Sequence, residues 1–111
     1  MDTFGEIKMT YRERYNETMR MIHEGFDHCI YVIKDDPVLI VIGRKSLKAI
    51  NKVMKTAGCP RELASKKYGI KVGVTYEPDL YRPIVINRKH FEYHAKTNAH
   101  WKSLKEKGIV K

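Results

Sequence analysis

The spacing of apolar positions changes repeatedly along this chain, and each change predicts an element. Tyr11, Tyr15, Met19 and Ile22 recur every three to four residues, the period of one helix face. Thr10 and Glu13 precede them as a Thr-x-x-Glu capping box, and Gly25 supplies a stop. The spacing therefore predicts a first helix from about Tyr11 to Glu24. Its polar face mixes Arg12, Arg14 and Arg20 with Glu13, Glu17 and Glu24, an ordinary solvated surface. Residues 1–9 read as a loose lead-in.

Cys29 to Ile33 is apolar and β-branched, and Lys34-Asp35-Asp36-Pro37 is a turn by composition. Val38 to Ile42 is continuously apolar, as a strand buried on both faces would be. The short gap between the two runs predicts an antiparallel hairpin. Leu47, Ile50, Met54 and Ala57 then line one side of a second helix, about Lys45 to Ala57, closed by Gly58. Pro60 opens a short third helix to about Lys67.

Ile70, Val72 and Val74 alternate with Lys71, Gly73 and Thr75, the period of a strand with one wet face. After the Glu77-Pro78-Asp79 turn, Ile84 to Ile86 is a fourth strand. Asn87 is placed to cap a last helix, Arg88 to Lys107, which Gly108 ends. The order is α-β-β-α-α-β-β-α. It predicts a single α+β domain over residues 1–111. A mostly antiparallel sheet of about four strands, two hairpins, has helices on one face. A parallel contact between the hairpins stays open, with the two middle helices as the crossover.

Charge changes this picture most. Up to Gly43 there are five Lys/Arg against eight Asp/Glu, whereas from Arg44 onward there are seventeen against five. The net +9 thus sits entirely after residue 43, an electrostatic footprint for a phosphate-bearing or otherwise anionic partner. Lys45, Lys48, Lys52 and Lys55 fall on one stripe of the second helix, opposite its apolar stripe. No acid occurs between Pro37 and Arg61. Like charges at this spacing repel, and a polyanion relieves the repulsion.

The entry to that helix adds a second signal. Gly43, Arg44, Lys45 and Ser46 join a strand to a helix start, where free N–H groups suit a phosphate. Ser46 serves there either as a ligand or as a plain cap. The spacing is not that of an ATP-binding loop. A second basic group comprises Arg82, Arg88 and Lys89, with Tyr76 and Tyr81 available to stack bases. Arg88 and Lys89 begin the last helix, where cations oppose the helix dipole and hint at a bound anion.

Other chemistry is poorly supported. His90 and His94 have chelating spacing without a third ligand. His94 shares a stripe with Thr97, Trp101 and Leu104, so it is expected in or beside the core, with no metal bound. Cys29 and Cys59 are expected as buried thiols, Cys59 being the better nucleophile candidate of the two. His23, His28 and Cys29 form a weaker cluster still. No paired carboxylates, nucleophile elbow or dinucleotide fingerprint occurs.

The expectation is a non-enzymatic, cofactor-free, cytoplasmic domain that binds nucleic acid through its basic residues after 43. One alternative is a nucleotide-type ligand held in a pocket of a homo-oligomer. The other is a phage-type accessory, assembly or inhibitor protein docking on an acidic protein partner. The longest apolar run, Val38 to Ile42, is far too short to cross a bilayer.

Overall fold

A computed structural model describes residues 9–53 and 60–110. The end of the second predicted helix, with Met54, Lys55, Ala57, Gly58 and Cys59, lies outside the described residues, as does nearly all of the 1–9 lead-in. The chain is a small α+β protein; among the described residues three strands form a mixed sheet with five α-helices. The helices are α1 (Tyr11–Asp27), α2 (Arg44–Val53), α3 (Pro60–Leu63), α4 (Arg88–Ala95) and α5 (Ala99–Glu106). The strands are β1 (Pro37–Ile42), β2 (Gly73–Tyr76) and β3 (Ile84–Asn87).

The strand order is β2-β1-β3. β1 runs parallel to β2, from Leu39 opposite Gly73 to Ile42 opposite Tyr76. It runs antiparallel to β3, with Leu39 opposite Ile86 and Val41 opposite Ile84. Two departures from the sequence reading follow. Among the described residues the sheet has three strands rather than four, and neither predicted hairpin forms. The strands of the second one, β2 and β3, are separated by β1.

The continuous apolar run of β1 explains this arrangement. All six of its residues are buried, and successive side chains point to opposite faces. Ile40 and Ile42 join Ile22, Phe26, Ala49 and Ile50 in a core beneath α1 and α2. Leu39 and Val41 join Phe91, Trp101, Leu104 and Val110 beneath α4 and α5. The sheet therefore carries helices on both faces, not on one. A strand covered on both sides needs a neighbour on each edge, which β2 and β3 provide.

The predicted strand Cys29–Ile33 is instead a π-helical continuation of α1, His28–Ile33. Gly25 does not stop the helix. A Cβ there would lie 2.6 Å from Val85 Cγ2, so the glycine lets α1 cross β3 closely. The helix then carries Phe26 and Cys29 into the core, at 0% and 2% exposure. It ends at Lys34, which adopts the left-handed conformation at φ 62°. β3 has taken the position beside β1 that this segment was expected to fill, and Tyr31, Val32 and Ile33 are left exposed.

The capping box at Thr10 forms as read, with N–H to side-chain bonds of 2.9 and 3.1 Å in the two directions. α3 continues as a π-helical turn, Ala64–Tyr68, closed by Gly69 at φ 67°. Tyr68 Oη donates to Asp27 Oδ1 at 2.7 Å, which latches this turn to α1. Asp27 Oδ2 lies 3.5 Å from His23 Nε2. Asp27 thus accounts for His23, while Cys29 is buried and His28 exposed. These three residues do not form a cluster.

The predicted last helix is two helices. Asn98 breaks it by accepting the Trp101 N–H at 3.1 Å as the cap of α5, the local competition with helix that Asn favours. α5 then folds back, and Trp101 stacks on Phe91 at 5.6 Å and 13°. Although the helix breaks, the His94 ring still lies edge-on to Trp101, 5.8 Å between centroids, beside the core. It is exposed, not buried as expected.

Gly43 is buried where β1 turns into α2, and a Cβ there would overlap the Leu80 carbonyl oxygen. Backbone cannot yield as a side chain end can. Gly43→Ala is therefore expected to cost about 1–3 kcal/mol, measured by urea denaturation. A loss well below that range means that the β2–β3 connection moves aside freely.

Candidate functional site

The register of β1 decides where the basic residues gather. Its carboxyl end faces Tyr76 across the parallel pair and Ile84 across the antiparallel pair. The junction at Gly43 to Ser46, Tyr76, and the segment Tyr81 to Pro83 therefore meet at that end. A cleft of about 180 Å³ opens there, lined among others by Arg14, Glu17, Thr18, Ser46, Tyr81 and Arg82, so one acid stands among its cations. Tyr76 does not line it. Tyr81 is 72% exposed beside it.

Arg82 precedes β3 and Arg88 follows it, with the whole strand, about 13 Å of extended chain, between them. Arg88 and Lys89 thus lie at the opposite end of the sheet from Arg82. Their position has an internal explanation. Asp35 Oδ2 accepts the Lys89 N–H at 2.8 Å and Asn87 Nδ2 at 2.7 Å. Asn87 occupies the cap position of α4 without capping it; its side chain orients Asp35, which does. Arg88 lies 3.8 Å from Glu92 one turn on. The anion at this helix start is the chain's own carboxylate. Burial pushes the Asp35 carboxyl up, but the bonds from Lys89, Asn87 and Asp36 outweigh it and hold it below the usual carboxylate range.

At the Gly43 junction the four candidate residues divide. Arg44 and Lys45 are exposed, whereas Gly43 lies beneath Leu80 and Ser46 is only 5% exposed. Ser46 is the third residue of α2, not its cap. Thr18 Oγ1 donates to Ser46 Oγ at 3.0 Å, a buried bond that joins α1 to α2. The hydroxyl offered by the sequence as cap or phosphate ligand is committed to this helix contact.

Lys48 and Lys52 extend the exposed row along α2, and Lys55 lies outside the described residues. α1 supplies a partner that the sequence did not reveal. The Tyr11 ring lies 5.9 Å from Lys48 Nζ and 5.7 Å from Lys52 Nζ, within cation–π reach. Arg14 reaches the same face through the small cleft. Nothing in one dimension marks Tyr11 or Arg14, because the α1–α2 pairing that brings them here is a long-range contact.

Three acids of α1 have partners within their own helix and its cap. Glu13 is held by the Thr10 N–H, and Glu17 and Glu24 both bind Arg20. α2 itself contains no acid.

The remaining candidates have local roles. Burial and the Asp35 charge push the Cys29 thiol above its ordinary value, which suits a core residue and not a nucleophile. The His90 and His94 rings lie 4.4 Å apart. Burial and the neighbouring His94 lower the His90 value. Among the described residues no group of three or more His, Cys, Asp or Glu converges on a metal position. Nor is any helix among them long and apolar enough to cross a membrane.

No family model, curated protein or solved structure matches the chain.

Two outcomes test these assignments. Ser46→Ala strands the buried Thr18 hydroxyl and is expected to cost about 1–3 kcal/mol. Combining it with Thr18→Val removes both polar groups and is expected to recover much of that loss. Equal, additive losses in urea denaturation would mean that the two hydroxyls do not interact.

The second test concerns pH. A carboxyl depressed in the fold adds stability above its unfolded value, near pH 4, and loses it as pH falls through the folded value. Asp35→Ala is expected to cost about 1 kcal/mol at neutral pH, as a lost helix cap does. The difference from the parent chain should shrink at low pH. A difference that is the same at both pH values would contradict the capping role.

Proposed function

We propose that this chain binds nucleic acid, without catalysis, through the face that α1, α2 and the Tyr81–Arg82 segment share at the carboxyl end of β1. The supporting observation is the exposed row of Lys45, Lys48 and Lys52, flanked by Tyr11 and Arg14, with no acid in α2. Phosphates bind lysines at loose spacing through charge alone, and most of that affinity comes from counterion release. The exposed Tyr81 beside Arg82 offers a stacking surface to an unpaired base. Single strands are accordingly favoured over duplex.

The cleft at this face supports a polyanion over an enclosed nucleotide. At about 180 Å³ it falls below the roughly 300–1,000 Å³ of pockets that enclose small ligands. It is too small to enclose a whole nucleotide. Arg88 and Lys89, at the other end of the sheet, are left out of this proposed face.

Labelled random single-stranded DNA and RNA, duplex DNA and a mononucleotide distinguish the readings by fluorescence anisotropy. Single-strand affinity is expected to rise with length and to fall with salt, with a log–log slope of about −0.7 per phosphate contacted. Lys48→Glu with Lys52→Glu and Arg82→Ala is expected to abolish binding while thermal unfolding stays cooperative. An unchanged affinity in that folded variant overturns the proposal. Salt-insensitive mononucleotide binding at one site per chain would do so as well.

A further inference from the structure

We propose that the small cleft at the carboxyl end of β1 takes one unpaired guanine from the bound single strand. This inference rests on the nucleic-acid reading above and adds base selectivity to it.

At about 180 Å³ the cleft admits only part of a strand, and its lining selects which part. Glu17 stands among the lining residues, so a phosphate would meet a like charge, which costs affinity. A base carries no charge and has N–H donors that a carboxylate accepts. Met21 of α1 and Pro83 before β3 add apolar surface. Tyr81 also lines the cleft and is 72% exposed, so its ring is open to stacking.

The fold places the polar groups. Arg14 and Glu17 lie three residues apart on α1 and so share one of its faces. Arg82 comes from the connection into β3. Arg20 holds Glu17 through Oε1 alone, which leaves Oε2 as an acceptor. Thr18 and Ser46 line the cleft as well, but their hydroxyls are buried and bonded to each other. Recognition therefore falls to two guanidinium groups and one carboxylate. α2 borders the cleft at Ser46, so phosphates flanking the seated base pass its lysine row.

Guanine matches that set better than the other bases. It presents O6 and N7 as adjacent acceptors, which a guanidinium binds as a bidentate pair. Beside them it presents N1–H and the N2 amino group as adjacent donors, which the Glu17 carboxylate accepts. Adenine and cytosine each bring a single amino group. Thymine and uracil bring one N–H between two carbonyls. Each of these leaves a charged group of the cleft without its full complement, and affinity falls accordingly.

The test is fluorescence anisotropy on labelled thymidine oligonucleotides of one length, with thymine, guanine, adenine or cytosine at a single central position. Guanine is expected to tighten binding about tenfold, the discrimination of one bidentate base contact. Inosine removes the N2 amino group and 7-deazaguanine removes N7; each should lose part of that gain. These analogues test the contacts without altering the protein. Glu17→Ala removes a half-exposed carboxylate whose pair with Arg20 adds little to folding. It should cancel the guanine preference while affinity for the all-thymidine strand holds or rises, because a negative charge has left the face. Equal affinity for strands with and without guanine overturns the inference and leaves the nucleic-acid reading standing. So does a preference for adenine or cytosine, a guanine preference that survives Glu17→Ala, or binding of both analogues as tight as that of guanine. Failure of every strand to bind overturns the reading itself, and this inference with it.

Discussion

Burial of β1 on both faces is the constraint from which the rest of the molecule follows. Five of its six residues are Val, Leu or Ile, and none of these five is more than 4% exposed. Such side chains gain about 1.5–3 kcal/mol each when fully buried, an upper bound because unfolded chains already hide some surface. Neither face can be given up. One face is covered by α1 and α2, and the other by α4 and α5. The central place in the sheet is filled by the one strand without a polar face. β2 and β3, each with half-wet residues, are left as edges. The proposed nucleic-acid face derives from this ordering, at the carboxyl end of β1.

The charges fall into two groups when viewed in three dimensions. At the amino end of β1, acids answer the cations. Asp35 caps α4 and Glu92 sits beside Arg88. A basic start to a helix is tolerable there because a carboxylate from a distant loop supplies what the dipole needs. On α2 and its neighbours, the nearby acids of α1 are already engaged within their own helix. The two groups look alike in a count of lysines and arginines, yet the Arg88–Lys89 pair has Asp35 and Glu92 placed against it. That difference supports assigning the nucleic-acid face to the α1–α2 side and not to the Arg88–Lys89 pair.

Local preference and tertiary packing disagree at two places, for the same kind of reason. Cys29 to Ile33 has strand chemistry, but Phe26 and Cys29 must enter the core on one continuous helical path from α1, and Gly25 removes the steric barrier to that path. The β-branched residues stay helical and exposed as a result. Ser46 has capping chemistry, but the helix begins two residues earlier, so its hydroxyl turns inward to Thr18. In both cases a residue's intrinsic tendency yields to what its neighbours in space require.

Much was legible in one dimension. The Thr10–Glu13 box, the buried run of β1, the helices at α1, α2 and α3, and the lysine row all rest on interactions between residues a few positions apart. Periodicity and capping report such interactions directly. Sheet order, the helices on both faces, the break at Asn98 and the exposure of His94 depend on contacts between distant segments. So do the Tyr11–lysine contacts and the division of Arg82 from Arg88. A sequence lists the two sides of a strand without saying which partners each will meet. Only the packing of α1 against β3, permitted by Gly25, determined which segment would lie beside β1. That choice placed each basic residue at one end of the sheet or the other.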